Sequence, residues 1–254
     1  MVIVKIGVFD SGVGGLTVLK ELTKNFKGEY VYVADLKNCP YGEKSEKYLE
    51  DALIEMLDYF ISINVDLIVI ACGTMSSIAR KMKISSYKGI KVLNVIEAVK
   101  YHLENKEVDN ILLMATLSTI KQENFKKSLL PITKNIIDCP CPDFVPLIES
   151  GNLEKDQKLE VVSKYINSKI KDKLNDNSII ILGCTHYPIL KDEIREVSKI
   201  ENIVLPGEAM VEYIKDNFDI KGNKNGLTFN TNKESKILNK FVKYYFNDNK
   251  VTNI

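Results

Sequence analysis

Cys72 and Cys184 stand at matching points in two similar stretches. Asp66-Leu-Ile-Val-Ile-Ala-Cys-Gly-Thr-Met75 and Ser178-Ile-Ile-Ile-Leu-Gly-Cys-Thr-His-Tyr-Pro188 each run apolar and then present a thiol beside small polar residues. A thiolate is a base and a nucleophile once its pKa is lowered by a helix N-terminus or a neighbouring cation. Both cysteines precede segments with helical patterning, so each is expected to meet the positive end of a helix. His186, two residues beyond Cys184, can stabilise that thiol or exchange a proton with it. With one thiol ionised and the other protonated, the pair can take a proton from one face of a carbon and return one to the other face. That is stereochemical inversion, and it requires no cofactor. Taken singly, either cysteine reads as a small core hydrophobe. Their pairing at matched positions is what argues for chemistry.

Elements must hold these groups. A short apolar run ended by Gly or Ala reads as a buried parallel strand with the next residues exposed at its C-terminal tip, and such tips bind ligands in open α/β sheets. Val2 to Phe9, Glu29 to Ala34, the Cys72 strand and Lys91 to Val95 alternate with helical stretches at 16–26, 45–63 and 74–82, a βαβαβαβ order. The pattern restarts with strands at 110–114 and 135–138, an amphipathic helix at 161–174, the Cys184 strand, a helix at 187–198 and a short strand at 203–205. The tail, 208–218 and 235–246, reads as helical and packs back on the first half. The fold class is therefore α/β, with two pseudo-symmetric doubly wound parallel-sheet lobes and a cleft between them. The expected lobes are 1–96 plus 208–254, and 97–207.

Other candidates are less specific. Asp10-Ser-Gly-Val-Gly-Gly15 is a glycine-rich strand-to-helix turn, which suits either an anion or plain tight packing. It is neither the dinucleotide fingerprint nor a P-loop. Tyr41 and Gly42 lie in a turn that either lines a pocket or sits on the surface. Of the two histidines, His102 falls within an ordinary helix pattern.

Composition removes whole classes. The 254 residues carry 35 basic and 34 acidic side chains, a net charge of +1, with no basic footprint for nucleic acid. No apolar run reaches the roughly 18 residues that span a bilayer. The N-terminus lacks the layout of a signal peptide, so a cytoplasmic chain is expected. The five cysteines, Cys39, Cys72, Cys139, Cys141 and Cys184, are then free thiols. Cys139-Pro-Cys141 and Cys184-Thr-His186 offer paired ligands for zinc, but at the wrong spacing. No metal is expected.

The motifs Gly7-Val-Phe-Asp-Ser-Gly-Val-Gly-Gly-Leu16, Pro40-Tyr-Gly42, Ala71-Cys72 with Thr74, Cys141-Pro-Asp-Phe-Val-Pro-Leu-Ile-Glu149 and Leu182-Gly-Cys-Thr-His-Tyr-Pro188 occur in one order across roughly residues 5 to 207. In this the chain resembles the glutamate racemases of bacterial cell-wall synthesis, within the cofactor-independent aspartate/glutamate racemase superfamily. The resemblance implies that Cys72 and Cys184 are the two acid/bases. It also implies that Asp10 assists Cys72, that His186 assists Cys184, and that Glu149 supports them. Ser11, Tyr41, Gly42, Gly73, Thr74 and Thr185 would surround the amino-acid substrate, and a homodimer is implied. The expected activity is interconversion of L- and D-glutamate, supplying D-glutamate for peptidoglycan without a cofactor. Three departures stand out: Gly73 where the family usually has Asn, Leu36 where Thr is common, and Pro206-Gly207 near where an Asp is often found. They keep open an aspartate or other amino-acid racemase, or a catalytically weak amino-acid-binding paralogue.

Overall fold

The computed structural model describes residues 2–254 apart from 42–43, 134, 152–153, 167–169, 171, 176 and 248, and apart from the side chains of residues 2 and 3. Among the described residues, the main sheet has the strand order β13-β12-β3-β2-β4-β6-β5. In chain order its strands are β2 (Lys5–Asp10), β3 (Glu29–Ala34), β4 (Leu67–Ile70), β5 (Ser86–Tyr87), β6 (Ile90–Asn94), β12 (Gly226–Thr231) and β13 (Val251–Asn253). All pairs are parallel except the β5–β6 hairpin. A second, shorter parallel sheet has the order β10-β9-β7-β8, from Ile203–Val204, Ser178–Leu182, Asn110–Ala115 and Asn135–Pro140. A two-stranded pairing joins β1 (Val2–Ile3) to β11 (Asp219–Ile220).

Parallel pairing forces each connection to cross the sheet, and the crossovers are helices. In the main sheet they are α1 (Leu16–Asn25), α2 (Glu46–Ser62) and α3 (Gly73–Lys81), with α4 (Val95–Leu103) leading to the second sheet. The side-chain alternation of β2 and β4 divides the core cleanly. Phe9, Ile68 and Ile70 face Leu49, Leu53, Leu57, Phe60 and Ile78 of α2 and α3. Val8, Leu67 and Val69 face the opposite way, into a core that runs on to Ile111, Leu113, Ile180 and Leu182 of the second sheet. Phe60 is fully buried in the first of these layers. Phe60→Ala should cost about 3–5 kcal/mol, read as a lower urea midpoint with an unchanged slope.

The second sheet carries α5 (Leu117–Gln122), α6 (Asn124–Leu129), α7 (Phe144–Glu149), α8 (Lys155–Tyr165) and α9 (Lys191–Ser198). The chain then returns through α10 (Pro206–Asn217), whose Tyr213 stacks edge-to-face on Tyr101 of α4 at 5.1 Å and whose Asp216 accepts from the Tyr101 hydroxyl at 3.0 Å. The final helix is α11 (Lys236–Phe246). No described helix is long and apolar enough to cross a membrane.

Three expectations change. The tail is not only helical, because β12 and β13 extend the main sheet beyond β3. The helix expected at 161–174 instead runs Lys155–Tyr165, and residues 167–169 and 171 lie outside the described residues. The segment expected as one helix at 187–198 is a 3-10 turn, Tyr187–Leu190, followed by α9. Pro188 stands in the first turn of the 3-10 segment, where a missing backbone donor is tolerated.

Candidate active site

Cys72 follows β4 and is the N-cap of α3, where the backbone N–H groups of Thr74 and Met75 act to lower its thiol, and its Sγ donates to the Ser11 hydroxyl at 4.0 Å. Cys184 follows β9, two residues beyond the strand end, with no α-helix directly after it. It has His186 instead, whose Nδ1 lies 3.9 Å from its sulfur. The two thiols therefore have different supports: a helix terminus for Cys72 and an imidazole for Cys184. The symmetry expected of the two strand tips stops at the thiols themselves.

The glycine-rich turn after β2 binds these parts together. Asp10 is fully buried and accepts from the Gly12 amide and from the Thr185 hydroxyl, both at 2.9 Å. Thr17 donates to the carbonyls of Gly14 and Thr185 at 2.8 and 3.0 Å. A Cβ at position 14 would stand 2.7 Å from the backbone nitrogen of His186, so only glycine permits this approach. Glu149, at the end of α7, meets His186 Nε2 at 2.7 Å and accepts from the Val13 amide at 3.3 Å. The result is a relay, Glu149–His186–Cys184.

A cavity of about 600 Å³ opens over the two thiols. Ser11, Tyr41, Cys72, Gly73, Thr74, Glu149, Cys184, Thr185 and His186 all line it, while Asp10 sits behind the wall. Gly42 lies outside the described residues. The Tyr41 hydroxyl is engaged, donating to Asp35 at 2.5 Å. Thr74 joins Thr116 and Thr119 in a hydroxyl cluster, with separations of 3.3, 3.3 and 2.9 Å. Thr116 and Thr119 were not among the sequence candidates. Thr116 stands just past the tip of β7, and the strand-tip rule that singled out both cysteines applies to it equally. Cys39 also lines the cavity, and burial pushes its thiol up to about 12. The Cys139 and Cys141 sulfurs lie 3.7 Å apart. No described group of three or more His, Cys, Asp or Glu residues could hold a metal.

Burial raises the Cys72 thiol, the Asp10 carboxylate raises it further, and the amides of Thr74 and Met75 only partly offset this. Burial and the Asp10 charge therefore favour the protonated thiol at Cys72. Burial likewise raises the Asp10 carboxyl, against the pull of His186 and its hydrogen bonds. For His186, burial acts to lower the imidazole, but hydrogen bonds and charge from Cys184 and Glu149 outweigh it and keep the ring well above its ordinary value. Glu149 feels the complement: burial pushes it up, and His186 with the Val13 amide brings it below the usual range.

A two-lobed parallel α/β fold closing on paired thiols defines a class, and the chain belongs to it: it is a member of the Asp/Glu/hydantoin racemase family, whose model matches residues 6–214. The glutamate racemase of Clostridium acetobutylicum is 35% identical over 244 residues, spanning 92% of this chain and 94% of that one. Among solved structures, glutamate racemase from Campylobacter jejuni subsp. jejuni superposes with a TM-score of 0.83 at 32% identity, covering 97% and 99% of the two chains. The enzyme from Francisella tularensis subsp. tularensis SCHU S4, in complex with D-glutamate, gives 0.84 at 26% identity, covering 99% and 97%.

Proposed function

We propose that this chain interconverts L- and D-glutamate by two-base proton transfer between Cys72 and Cys184, supplying D-glutamate for peptidoglycan. One observation carries the reading: two thiols from different sheets line a single cavity, each with its own polar support. In each direction one thiolate takes the α-proton. The C–H bond electrons remain on the α-carbon, and the other thiol delivers its proton to the opposite face. The substrate's ammonium, entering beside Cys72 and Asp10, favours the thiolate that burial resists. Ser11 and Thr74 offer hydroxyls to the substrate carboxylates, and Thr185, its hydroxyl held on Asp10, lines the pocket with Tyr41. The two thiols account for both protons, so the reading calls for no cofactor.

In this reading His186 acts as an imidazolium that shares a proton with Cys184, and Glu149 keeps it charged. Removing the carboxylate lets the ring lose its proton at lower pH. Glu149→Gln should therefore move the alkaline limb of kcat/KM down by about one pH unit or more. A limb that stays in place would remove Glu149 from the relay.

The residue division 1–96 with 208–254 against 97–207 is proposed for the two lobes, supported by the allotment of strands to the two sheets. A cytoplasmic homodimer completes the proposal. Circular dichroism tests the activity: the signals of L- and D-glutamate should decay to the same zero endpoint, and a stable signal from both would contradict it.

A further inference from the structure

Residues 232–235 lie beyond the stretch that the family model matches, which ends at 214. Yet Lys233, Glu234 and Ser235 line the cavity. The loop joins β12 to α11 and is built onto the wall of the site. Asn232 donates to Asp35 at 2.6 Å, and the Lys37 amide donates to Asn232 at 2.9 Å. The Thr231 hydroxyl donates to the Lys233 carbonyl at 3.0 Å and accepts from the Lys233 amide at 3.3 Å. Ser235 caps α11, accepting from the Leu238 amide at 3.1 Å. Asp35 is buried and also holds Tyr41 and Asn38. One carboxylate thus fixes both the Tyr41 turn and the Lys233 loop.

Charge balance gives this loop a task. An amino-dicarboxylate brings two negative groups and one positive group into the cavity. Among the described lining residues, Lys233 is the only lysine or arginine. The other cation, His186, is already matched by Glu149 at 2.7 Å. Lys233 is exposed and takes part in no ion pair among the described residues. Its neighbour Glu234 also lines the cavity and opposes it in sign.

We propose that Lys233 receives the distal carboxylate of the substrate at the cleft mouth, positioned there by Asp35 through Asn232. This rests on the racemase reading above. Lys233 is then a binding residue that draws dicarboxylates into the cleft and favours them over monocarboxylates. Its attraction is exposed to solvent, so it is modest and screened by salt.

The test is steady-state racemisation of glutamate across a range of sodium chloride concentrations. Lys233→Ala should lower kcat/KM about fivefold at low salt, through KM, with kcat within about twofold. Lys233→Glu should lower it about twentyfold, and Lys233→Arg should restore it. Glu234→Gln should raise it. The wild-type decline of kcat/KM with salt should flatten in Lys233→Ala. Asn232→Ala, which keeps the lysine and releases the loop, should reproduce part of the KM increase. An unchanged KM and salt slope in Lys233→Ala would overturn the proposal, as would a loss confined to kcat. A wild-type enzyme that does not turn over glutamate would instead overturn the racemase reading itself.

Discussion

Cys72→Ala and Cys184→Ala should each lose glutamate racemisation by at least about 10³-fold. A positioned general acid or base contributes roughly 10² to 10⁴, and in a two-base exchange neither thiol can replace the other, because they serve opposite faces of the α-carbon. The folded state should survive both changes. Each cysteine is 6% exposed and would lose a single sulfur atom, which costs on the order of 1 kcal/mol, so the thermal midpoint should fall by only a few degrees. The comparison with stability matters, since inactivity from unfolding would carry no information. Substantial activity in either well-folded variant would contradict the assignment of paired bases.

Gly73→Ala should be almost as damaging, although it adds one methyl group. The new Cβ would overlap the carbonyl oxygen of Gly183 and stand 3.3 Å from its carbonyl carbon. Both partners are backbone, so no flexible side chain can move aside. Gly183 is itself held, because its amide donates to Met114 at 2.7 Å and Leu113 and Ala115 crowd it. The overlap must separate the two strand tips, and with them Cys72 and Cys184. Misplacing reacting groups by about 1 Å costs on the order of 10²-fold in rate. Overpacking of this kind also costs roughly 1–3 kcal/mol of stability. Gly73→Asn, which introduces the residue usual in the resembling family, meets the same carbonyl and should lose activity rather than gain it. Wild-type kcat in Gly73→Ala would show that the approach to Gly183 does not govern the spacing of the thiols.

This close approach also explains what the sequence conveyed about Gly73 and what it withheld. A missing amide contact was legible from the motif, but the facing carbonyl depends on how two distant loops meet. The strand tips carried the clearest signal. Apolar runs ending in Cys72 and Cys184 identified both thiols and the parallel sheets beneath them, and His186 and Glu149 fell within the same motifs. The supports of the thiols were harder to infer. A helix was expected after Cys184, but Pro188 and a 3-10 turn intervene, leaving His186 as its partner. At Cys72 burial and the Asp10 charge outweigh the helix terminus and raise the thiol.

The tail was misread for a related reason. Gly226-Leu-Thr-Phe-Asn-Thr231 is short, polar in part and lacks a clean alternation, yet six residues pair with β3 because that edge of the sheet is open to them. A strand there brings Asn232 to Asp35 and Lys233 to the cavity. Local pattern cannot reveal a pairing between residues nearly two hundred positions apart.

The most direct test of the central claim is proton NMR of L-glutamate and of D-glutamate with the enzyme in D2O, tracked alongside circular dichroism. The two-thiol account predicts that the α-proton signal disappears from both enantiomers and that optical activity decays to zero in step. Solvent deuterium would enter on the face opposite the departing proton. Retention of the α-proton in both enantiomers, with undiminished optical activity, would contradict it.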